Sequence, residues 1–194
     1  MRTVFFDVDT QFDFLFPAGA LYVPGAEKLV SNIEALNRFA AAQAIPLIST
    51  MDAHSEDDHE FIVWPPHCIA GTLGQNKAAA TLLERRTVVA NHRPLPALGA
   101  QQYLIEKQVN DCFTNTSLLP LLDALNAERY LVYGVVTELC VQCAVEGLLR
   151  TGRRVELIAD AVQHLDEKAA QAMTQALLER GGALTTVATA IRIP

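Results

Sequence analysis

The sequence predicts an α/β protein in which a parallel β-sheet is wrapped by helices. Short apolar runs alternate with longer stretches whose apolar residues recur at helical spacing, which is the pattern of repeated β–α units. The chain has 194 residues, of which 51% are hydrophobic and 19% charged. That length and composition suit one well-filled core. We therefore expect a single domain over residues 1–194.

The first half of the chain predicts four strands and one long helix. The strands are short apolar runs, the first of them rich in Val and Phe: residues 3–8, 46–50, 87–90 and 102–106. Between the first two, residues 26–43 place Leu29, Ile33 and Leu36 at helical spacing. Residues 52–75 show no clean period. Such a long irregular stretch inside a compact domain is usually functional.

The second half predicts two more strands and three helices. The strands are residues 130–136 and 155–159, which brings the count to six. The helices are the stretches with helical apolar spacing: residues 118–125, 138–150 and 166–181. The last helix stops at a pair of glycines, Gly181 and Gly182. Residues 184–187 are a candidate for an additional short edge strand.

Composition excludes several classes of protein. Fifteen Lys and Arg against 22 Asp and Glu give a net charge of −7, which makes binding to nucleic acid or to anionic membranes unfavourable. No apolar run approaches the roughly 20 residues of a membrane span. The N-terminus turns acidic at Asp7, too early for a signal peptide. Four cysteines are too few for a disulfide scaffold, so we expect a reducing, cytoplasmic setting.

Polar residues follow several of the predicted strands. In an open parallel sheet, ligands bind beyond the carboxyl ends of the strands. That rule selects residues after the first, second, fourth and fifth strands: Asp7, Asp9, Asp52, His54, Lys107 and residues 137–140.

Cys140 is a candidate nucleophile. It follows the fifth strand and falls in the first turn of the next helix, where unpaired N–H groups and the helix dipole lower the pKa of a thiol. The alternative is an ordinary buried cysteine. Cys143 completes a Cys-x-x-Cys spacing, so a redox site is a further alternative.

Asp9 and Lys107 are candidates for the groups that activate this thiol. A carboxylate at a strand end can take the thiol proton as a general base, and a nearby lysine can hold that carboxylate and favour the thiolate. Taken alone, Asp9 as a turn cap and Lys107 as a surface lysine are the simpler interpretations.

The irregular stretch also holds a candidate metal site. Three of the five histidines fall between positions 54 and 67. Asp52 and His54 face the same side of an extended segment, and His67 arrives from the loop. Imidazole and carboxylate together suit zinc, iron or manganese. The alternative is a solvated polar loop, with the acidic residues 56–58 as its surface charge.

Four stretches, in one order along nearly the whole chain, carry a family resemblance. Residues 9–14 read Asp-Thr-Gln-Phe-Asp-Phe; residues 52–54 read Asp-Ala-His and precede Trp-Pro-Pro-His-Cys at 64–68 and Gly-Thr-Leu-Gly at 71–74. Residues 134–141 read Gly-Val-Val-Thr-Glu-Leu-Cys-Val, and residues 155–161 end in Asp-Ala. This set resembles the isochorismatase-like cysteine hydrolases, most closely the nicotinamidases (pyrazinamidases).

The resemblance implies a fold and a set of functional residues. The fold is a six-stranded parallel sheet with helices on both faces, a Rossmann-like three-layer sandwich. The implied catalytic triad is Asp9, Lys107 and Cys140. The implied metal ligands are Asp52, His54 and His67, with zinc favoured over iron or manganese.

The resemblance also implies an oxyanion hole and an aromatic pocket. A cis peptide between Val135 and Val136 would aim the Val136 N–H beside that of Cys140. Phe14 and Trp64 match positions that enclose an aromatic substrate, with ordinary core packing as the alternative.

A fourth metal ligand is implied at one of two adjacent residues. His59 resembles a histidine ligand of some nicotinamidases, and Glu60 matches a carboxylate ligand of others. Adjacent residues on an irregular loop rarely both point inward, so we expect one to bind. We favour His59, because a nitrogen ligand suits zinc or iron and because Glu60 adjoins the acidic run.

The chain departs from the nicotinamidase pattern after Lys107. The family's Tyr-Ser-Gly/Ala-Phe-like segment is replaced by residues 108–115, in which only Phe113 is recognisable.

One hypothesis is therefore a metal-containing amidohydrolase that converts nicotinamide or a similar carboxamide to acid and ammonia through a cysteine thioester. A second keeps the triad for a non-aromatic amide, of ureido or maleamic acid type, or for another family substrate. A third is a non-catalytic interaction module. The family resemblance is compatible with a homo-oligomer.

Overall fold

A parallel sheet of seven strands runs through residues 1–192, the part of the chain described by the computed structural model. The strands are β1 (Thr3–Val8), β2 (Leu47–Asp52), β3 (Arg86–Val89), β4 (Gln102–Lys107), β5 (Arg129–Val135), β6 (Arg154–Gln163) and β7 (Ala183–Thr185). Their order in space is β3-β4-β2-β1-β5-β6-β7, and each neighbouring pair is parallel.

The prediction of six strands was wrong by one edge strand. β7 has three residues and pairs with β6 over Glu156–Ile158. It lies within one residue of the run suggested as an edge strand. So short a strand shows no period, and Leu184 at its centre is 43% exposed, which leaves little hydrophobic signal in the sequence.

Helices cover both faces of the sheet, as predicted. The α-helices are α1 (Phe12–Leu15), α2 (Val30–Ala42), α3 (Leu118–Leu125), α4 (Gln142–Arg150), α5 (Glu167–Glu179) and α6 (Val187–Ala190). One core joins α3, α4 and α5 to the sheet, and the other joins α2 and α6 to the opposite face. Successive residues of β1 alternate between them: Val4, Phe6 and Val8 enter the first core, and Phe5 enters the second.

Short helical turns fill several connections. Single 3₁₀ turns occur at Ala26–Leu29, His59–Ile62, Ala79–Thr81 and Cys112–Thr114, and a π-helical turn at Thr137–Val141 leads into α4. The last of these lies where the sequence predicts the start of an α-helix. π-turns of this kind are common at functional sites.

The order of the strands brings the candidate residues together. β4, β2, β1 and β5 are consecutive neighbours in the sheet. Asp52 at the end of β2 stands opposite Lys107 at the end of β4, and Val8 at the end of β1 stands opposite Gly134 in β5. Residues that follow these strands therefore meet at one edge of the sheet.

The structure bears on some of the predictions made from composition and leaves others open. No helix within residues 1–192 is long and apolar enough to cross a bilayer. All four cysteines are free in the structure. A cytoplasmic location, the lack of nucleic-acid binding and the oligomeric state stay predictions.

Replacing Gly134 by alanine should strongly destabilise the fold. Gly134 has φ +118°, and an added Cβ would lie 2.1 Å from the carbonyl oxygen of Val8. Both atoms belong to paired strands and cannot move apart without breaking the β1–β5 ladder. We expect Gly134→Ala to lower the free energy of unfolding by about 3 kcal/mol or more in urea denaturation.

Gly152→Ala is the matched control. Gly152 also has positive φ (+71°), but no atom lies within 4 Å of the added Cβ. The Gly152→Ala substitution should lower the free energy of unfolding only by the cost of backbone strain, about 1–2 kcal/mol. Equal losses in the two variants would contradict a steric role for Gly134.

Candidate active site

A pocket of about 460 Å³, open mouth included, lies at the carboxyl edge of the sheet. Its floor carries the polar groups Asp9, Asp52, His67 and Cys140, and Glu60 and Asn110 face it from loops. Its walls are mainly apolar or aromatic: Phe14, Leu21, Tyr22, Val23, Trp64, Val135, Val136, Leu139 and Leu165. The pocket thus collects candidates that are far apart in the sequence.

Asp9 is held rigidly after β1. Its backbone is in the left-handed region (φ +50°), and its side chain is completely buried. Thr50 Oγ1 donates to its Oδ1 at 2.6 Å, and the Lys107 ammonium lies 2.9 Å from its Oδ2. Burial raises the pKa of Asp9, with Lys107 opposing and Asp52 reinforcing the rise. A carboxylate poised in this way can accept a proton.

Two other polar residues of the 9–14 motif, Gln11 and Asp13, fix the backbone around the site by hydrogen bonds. The sequence alone did not reveal this role. The Gln11 amide donates to the Asp52 carbonyl at 2.8 Å and accepts from the Asp52 N–H at 2.7 Å, so it fixes the end of β2. Asp13 accepts the N–H groups of Cys68 (2.7 Å) and Ala20 (2.9 Å). The spacing of Gln11 and Asp13 therefore serves backbone anchoring.

Lys107 is a buried cation at the centre of the site. Its ammonium contacts the carboxylates of Asp9 and Asp52 and lies 3.6 Å from the Sγ of Cys140. Burial works to lower the pKa of Lys107, but the charges of Asp52 and Asp9 raise it well above the ordinary value. Lys107 is therefore charged, and the interpretation as a surface lysine is wrong. Its contact with Asp52 was not predicted.

Cys140 lies in the π-helical turn, almost completely buried, with its sulfur at the pocket floor. Burial raises the pKa of the thiol well above its usual value, although the Lys107 charge acts to lower it. This direction is opposite to the lowered pKa expected from the position of Cys140 in the sequence. Reaction at this sulfur therefore calls for a neighbouring group that can take the thiol proton. Cys143 lies on α4 and is half-exposed.

The turn before Cys140 has an unusual backbone. The peptide bond between Val135 and Val136 is cis, and both residues line the pocket beside Cys140. The carbonyl of Val136 accepts the N–H groups of Leu139 and Val141, both at 3.1 Å, which closes the turn around the cysteine.

Asp52, His54 and His67 form a cluster with the chemistry of a metal site. Their ligand atoms all lie within 4.8 Å of one another, and all three residues are buried. The Nε2 atoms of both histidines are 3.8 Å from the same Asp52 oxygen, Oδ2. His54 Nε2 has no hydrogen-bond partner within the described residues. An unpartnered buried nitrogen beside a carboxylate fits a transition-metal ion.

Hydrogen bonds at the Nδ1 atoms of His54 and His67 set the orientation of the two imidazole rings. His54 Nδ1 is 3.0 Å from the Asp58 carboxylate, and His67 Nδ1 is 2.8 Å from the Pro65 carbonyl. Each Nδ1 therefore carries the proton, and each Nε2 presents its lone pair to the cluster. Histidine ligands of metals are oriented in this way by their second nitrogen.

Asp58 was assigned to the solvated acidic run, and the structure corrects that interpretation. Its side chain is only 15% exposed. One oxygen contacts His54, and the other accepts the N–H of Glu60 at 2.9 Å, which caps the 3₁₀ turn His59–Ile62. The run of three acidic residues, 56–58, gave no signal to separate Asp58 from its exposed neighbours.

The structure separates the two candidates for a fourth ligand. His59 is exposed, whereas Glu60 is half-buried and lines the pocket beside Asp52 and His67. The structure therefore favours Glu60 over His59 as the candidate, and the fourth ligand stays a prediction. The Asp58 side chain caps this 3₁₀ turn by accepting the N–H of Glu60. Burial raises the pKa of Glu60, and the nearby Asp52 charge adds to that rise.

Aromatic rings enclose the histidines. Phe14 lies 5.4 Å from His67 between ring centroids, and Phe61 lies 5.3 Å from His54 and 5.7 Å from His67. Trp64 lines the pocket and is partly exposed at its mouth. Phe14 and Trp64 thus both reach the pocket, and Phe61 is an addition that the sequence did not single out.

The 108–115 segment is tied to the sheet at both ends. The Gln108 amide donates to the Ala53 carbonyl at 3.1 Å, and the Asn115 amide donates to backbone carbonyls of β3 and β4 at 2.9 and 2.8 Å. Between these ties, Asn110 lines the pocket. Phe113 packs instead against α4, where a Cβ on Gly147 would lie 2.0 Å from its ring. The residue that resembles the family pattern therefore lies away from the pocket, and Asn110 lies in it.

Comparisons with known proteins identify the family and agree with the fold. The sequence model of the isochorismatase domain matches residues 3–189, so the chain belongs to the isochorismatase family of hydrolases. It is 21% identical to the nicotinamidase of Saccharomyces cerevisiae, over 82% of this chain and 87% of that protein.

Two solved structures show the same fold. The pyrazinamidase of Pyrococcus horikoshii, in complex with zinc, superposes with a TM-score of 0.80 at 24% identity, covering 96% of this chain and 99% of that one. PnC1 of L. infantum, in complex with nicotinate, gives a TM-score of 0.80 at 26% identity, covering 96% of this chain and 93% of that one.

Removal of the buried ammonium should destabilise the protein. Lys107→Met leaves Asp9 and Asp52 buried without their cation, and loss of one partner from a buried ion pair costs about 3–5 kcal/mol. We expect a loss of that size in the free energy of unfolding, measured in urea at neutral pH with a chelator present. Lys28→Met, at an exposed lysine, is the control and should change stability by less than about 0.5 kcal/mol. Similar stabilities for the two variants would contradict the central role of Lys107.

Proposed function

We propose that the protein is a metal-containing cysteine amidohydrolase that converts nicotinamide or a similar aromatic carboxamide to the carboxylic acid and ammonia. One observation carries this proposal: a buried Asp9–Lys107–Cys140 cluster and a buried Asp52–His54–His67 cluster face one pocket and share the Lys107–Asp52 contact. The family membership supports hydrolysis. The relative named a nicotinamidase supports the substrate class.

The first step moves the thiol proton. The high pKa of Cys140 means that the sulfur becomes nucleophilic only as its proton leaves, and burial has already raised the pKa of Asp9 so that this carboxylate can accept it. Lys107 stays charged and stabilises the thiolate from 3.6 Å. A C–S bond then forms at the amide carbon as the carbonyl oxygen gains negative charge.

Backbone N–H groups at Val136 and Cys140 are the proposed oxyanion donors. The π-helical turn and the cis peptide before it set the backbone at this point of the pocket. Donors that are fixed before reaction stabilise the developing charge without reorganisation, and loss of one such donor typically costs about 3–4 kcal/mol.

The second half of the reaction releases ammonia and then the acid. Protonated Asp9 returns its proton to the amide nitrogen, the C–N bond breaks, and ammonia leaves. Water then attacks the thioester, again with Asp9 as the base, and the carboxylic acid is released as the thiol is restored.

Asp52, His54 and His67 are the residues that would hold the ion, with Glu60 as the candidate for a fourth position. A divalent ion there, zinc by the donor set, would supply a Lewis-acidic position that binds a ring nitrogen and orients the substrate. The zinc complex of the Pyrococcus horikoshii pyrazinamidase supports this assignment.

The pocket walls favour an aromatic substrate. Phe14 and Trp64 offer flat apolar surfaces, and most of the remaining wall is aliphatic. The nicotinate complex of the L. infantum relative supports a pyridine ring in such a pocket. Asn110 favours the second candidate, a small polar amide of ureido or maleamic acid type, because it adds a hydrogen-bonding group to the floor.

The substrate class is tested by ammonia release from a panel of amides with and without chelator. We expect the highest kcat/KM for nicotinamide or a related heteroaromatic carboxamide, and loss of most activity on chelation.

Cys140→Ala should abolish turnover with the fold intact, because the sulfur is the reacting atom. Cys143→Ala is the matched control and should keep most activity. Chelator-insensitive hydrolysis of non-aromatic amides alone would select the second candidate, and equal losses at both cysteines would favour redox chemistry.

Zinc content tests the metal centre and its supporting carboxylate. Asp58→Ala removes the acceptor that orients His54, so zinc affinity should fall roughly 10- to 100-fold. Asp57→Ala, at the exposed neighbour, is the matched control and should bind zinc normally. Binding is measured by competition with a chromogenic chelator.

The same assay separates the two fourth-ligand candidates. Glu60→Ala should weaken zinc binding, and His59→Ala should leave it unchanged, because Glu60 faces the pocket and His59 is exposed. The reverse order would restore the preference drawn from the sequence. His67→Ala should lose the ion almost completely.

A further inference from the structure

A side-chain carboxamide faces the thiol across the pocket. Asn110 Oδ1 lies 3.5 Å from the Sγ of Cys140, within reach of an S–H···O hydrogen bond, and Asn110 is otherwise open to the pocket. The 108–115 segment that carries it is tied to the sheet on both sides. Asn110 is therefore a fixed polar group beside the reacting atom, and none of the steps above uses it.

We propose that Asn110 determines specificity for the leaving group by accepting a hydrogen bond from an N–H of the scissile amide nitrogen. The pocket would then select substrates whose leaving nitrogen carries a hydrogen, such as primary carboxamides. This proposal rests on the proposed amidohydrolase function.

The position of Asn110 follows from where the leaving nitrogen must lie. Once the C–S bond has formed, two bonds separate the nitrogen from Sγ. The nitrogen therefore lies in the space around the sulfur, which Asn110 Oδ1 borders. The other side chains near the sulfur that line the pocket, Val135, Val136 and Leu139, are apolar, so among these neighbours Asn110 supplies the polar side chain. The thiol proton has moved to Asp9 by this stage, so Oδ1 exchanges an S–H donor for an N–H donor.

The hydrogen bond orients the nitrogen for departure. The nitrogen of the tetrahedral intermediate has two N–H bonds and one lone pair. If Asn110 holds one N–H, the lone pair can face the proton carried by Asp9. The C–N bond then breaks as that proton is transferred, ammonia leaves, and the thioester remains. An ester leaves Oδ1 facing an oxygen with no hydrogen, which gives an unpaired acceptor and lowers the rate.

The test compares a substrate that has a leaving nitrogen with a ligand that lacks one. Nicotinamide is the substrate, and pyridine-3-carbaldehyde is the ligand, because it adds the Cys140 thiol to give a thiohemiacetal with an oxyanion but no leaving group. With zinc-loaded enzyme, Asn110→Leu and Asn110→Ala should lower kcat/KM for nicotinamide roughly 10- to 100-fold. The inhibition constant of the aldehyde should stay within about twofold of the wild-type value.

Other outcomes overturn the proposal and are distinguishable from one another. Parallel losses in amide turnover and aldehyde affinity would mean that Asn110 acts on the thiol, the ring or the fold, and unchanged amide turnover would mean that it has no role. Val109→Ala, at the exposed neighbour, is the matched control and should change neither quantity. Wild-type enzyme that binds the aldehyde but releases no ammonia from nicotinamide would instead count against the proposed function.

Discussion

The site depends on one buried ammonium group. Lys107 carries three N–H donors, and the structure supplies three acceptors: the carboxylates of Asp9 and Asp52 and the sulfur of Cys140. Burying any of these ions alone would cost several kcal/mol, so each charge is stable only in the presence of the others. The proposed acid–base group Asp9, the proposed nucleophile Cys140 and the metal-ligand candidate Asp52 are consequently parts of a single electrostatic unit.

A second buried ion pair lies beneath the first. The Lys77 ammonium is 3.4 Å from Asp7 and donates to the carbonyl of Thr50 at 2.9 Å, and the Thr50 side chain in turn donates to Asp9. The Asp9 carboxylate, the proposed base, is thus held by this polar layer as well as by Lys107. This layer explains why the end of β1 is charged although it is completely buried.

The sequence predicted the α/β fold with a parallel sheet, the polar residues that follow the strands, and the grouping of Asp52, His54 and His67, because each leaves a local pattern or a motif. The burial of Asp58 and the pocket position of Glu60 were not predicted, because a row of acidic residues does not reveal which of them accepts the capping hydrogen bond. β7 was left out of the count because three half-exposed residues carry no period. The pKa of Cys140 was misjudged because position in a turn was visible in the sequence and depth of burial was not.

The hydrogen bonds that hold the 108–115 segment at Gln108 and Asn115 have a consequence for how substrate specificity can change during evolution. Of the residues proposed to react, Asp9 and Lys107 lie at strand ends fixed by the register of the sheet and Cys140 lies in the π-helical turn after β5, whereas Asn110 lies on a loop whose backbone is held by Gln108 and Asn115. A side chain held at its neighbours rather than through its own contacts can be exchanged under selection with little loss of folding stability. One position beside the thiol is therefore free to vary among descendants of this scaffold, so that new leaving groups can be accepted while the proton-transfer machinery is inherited intact.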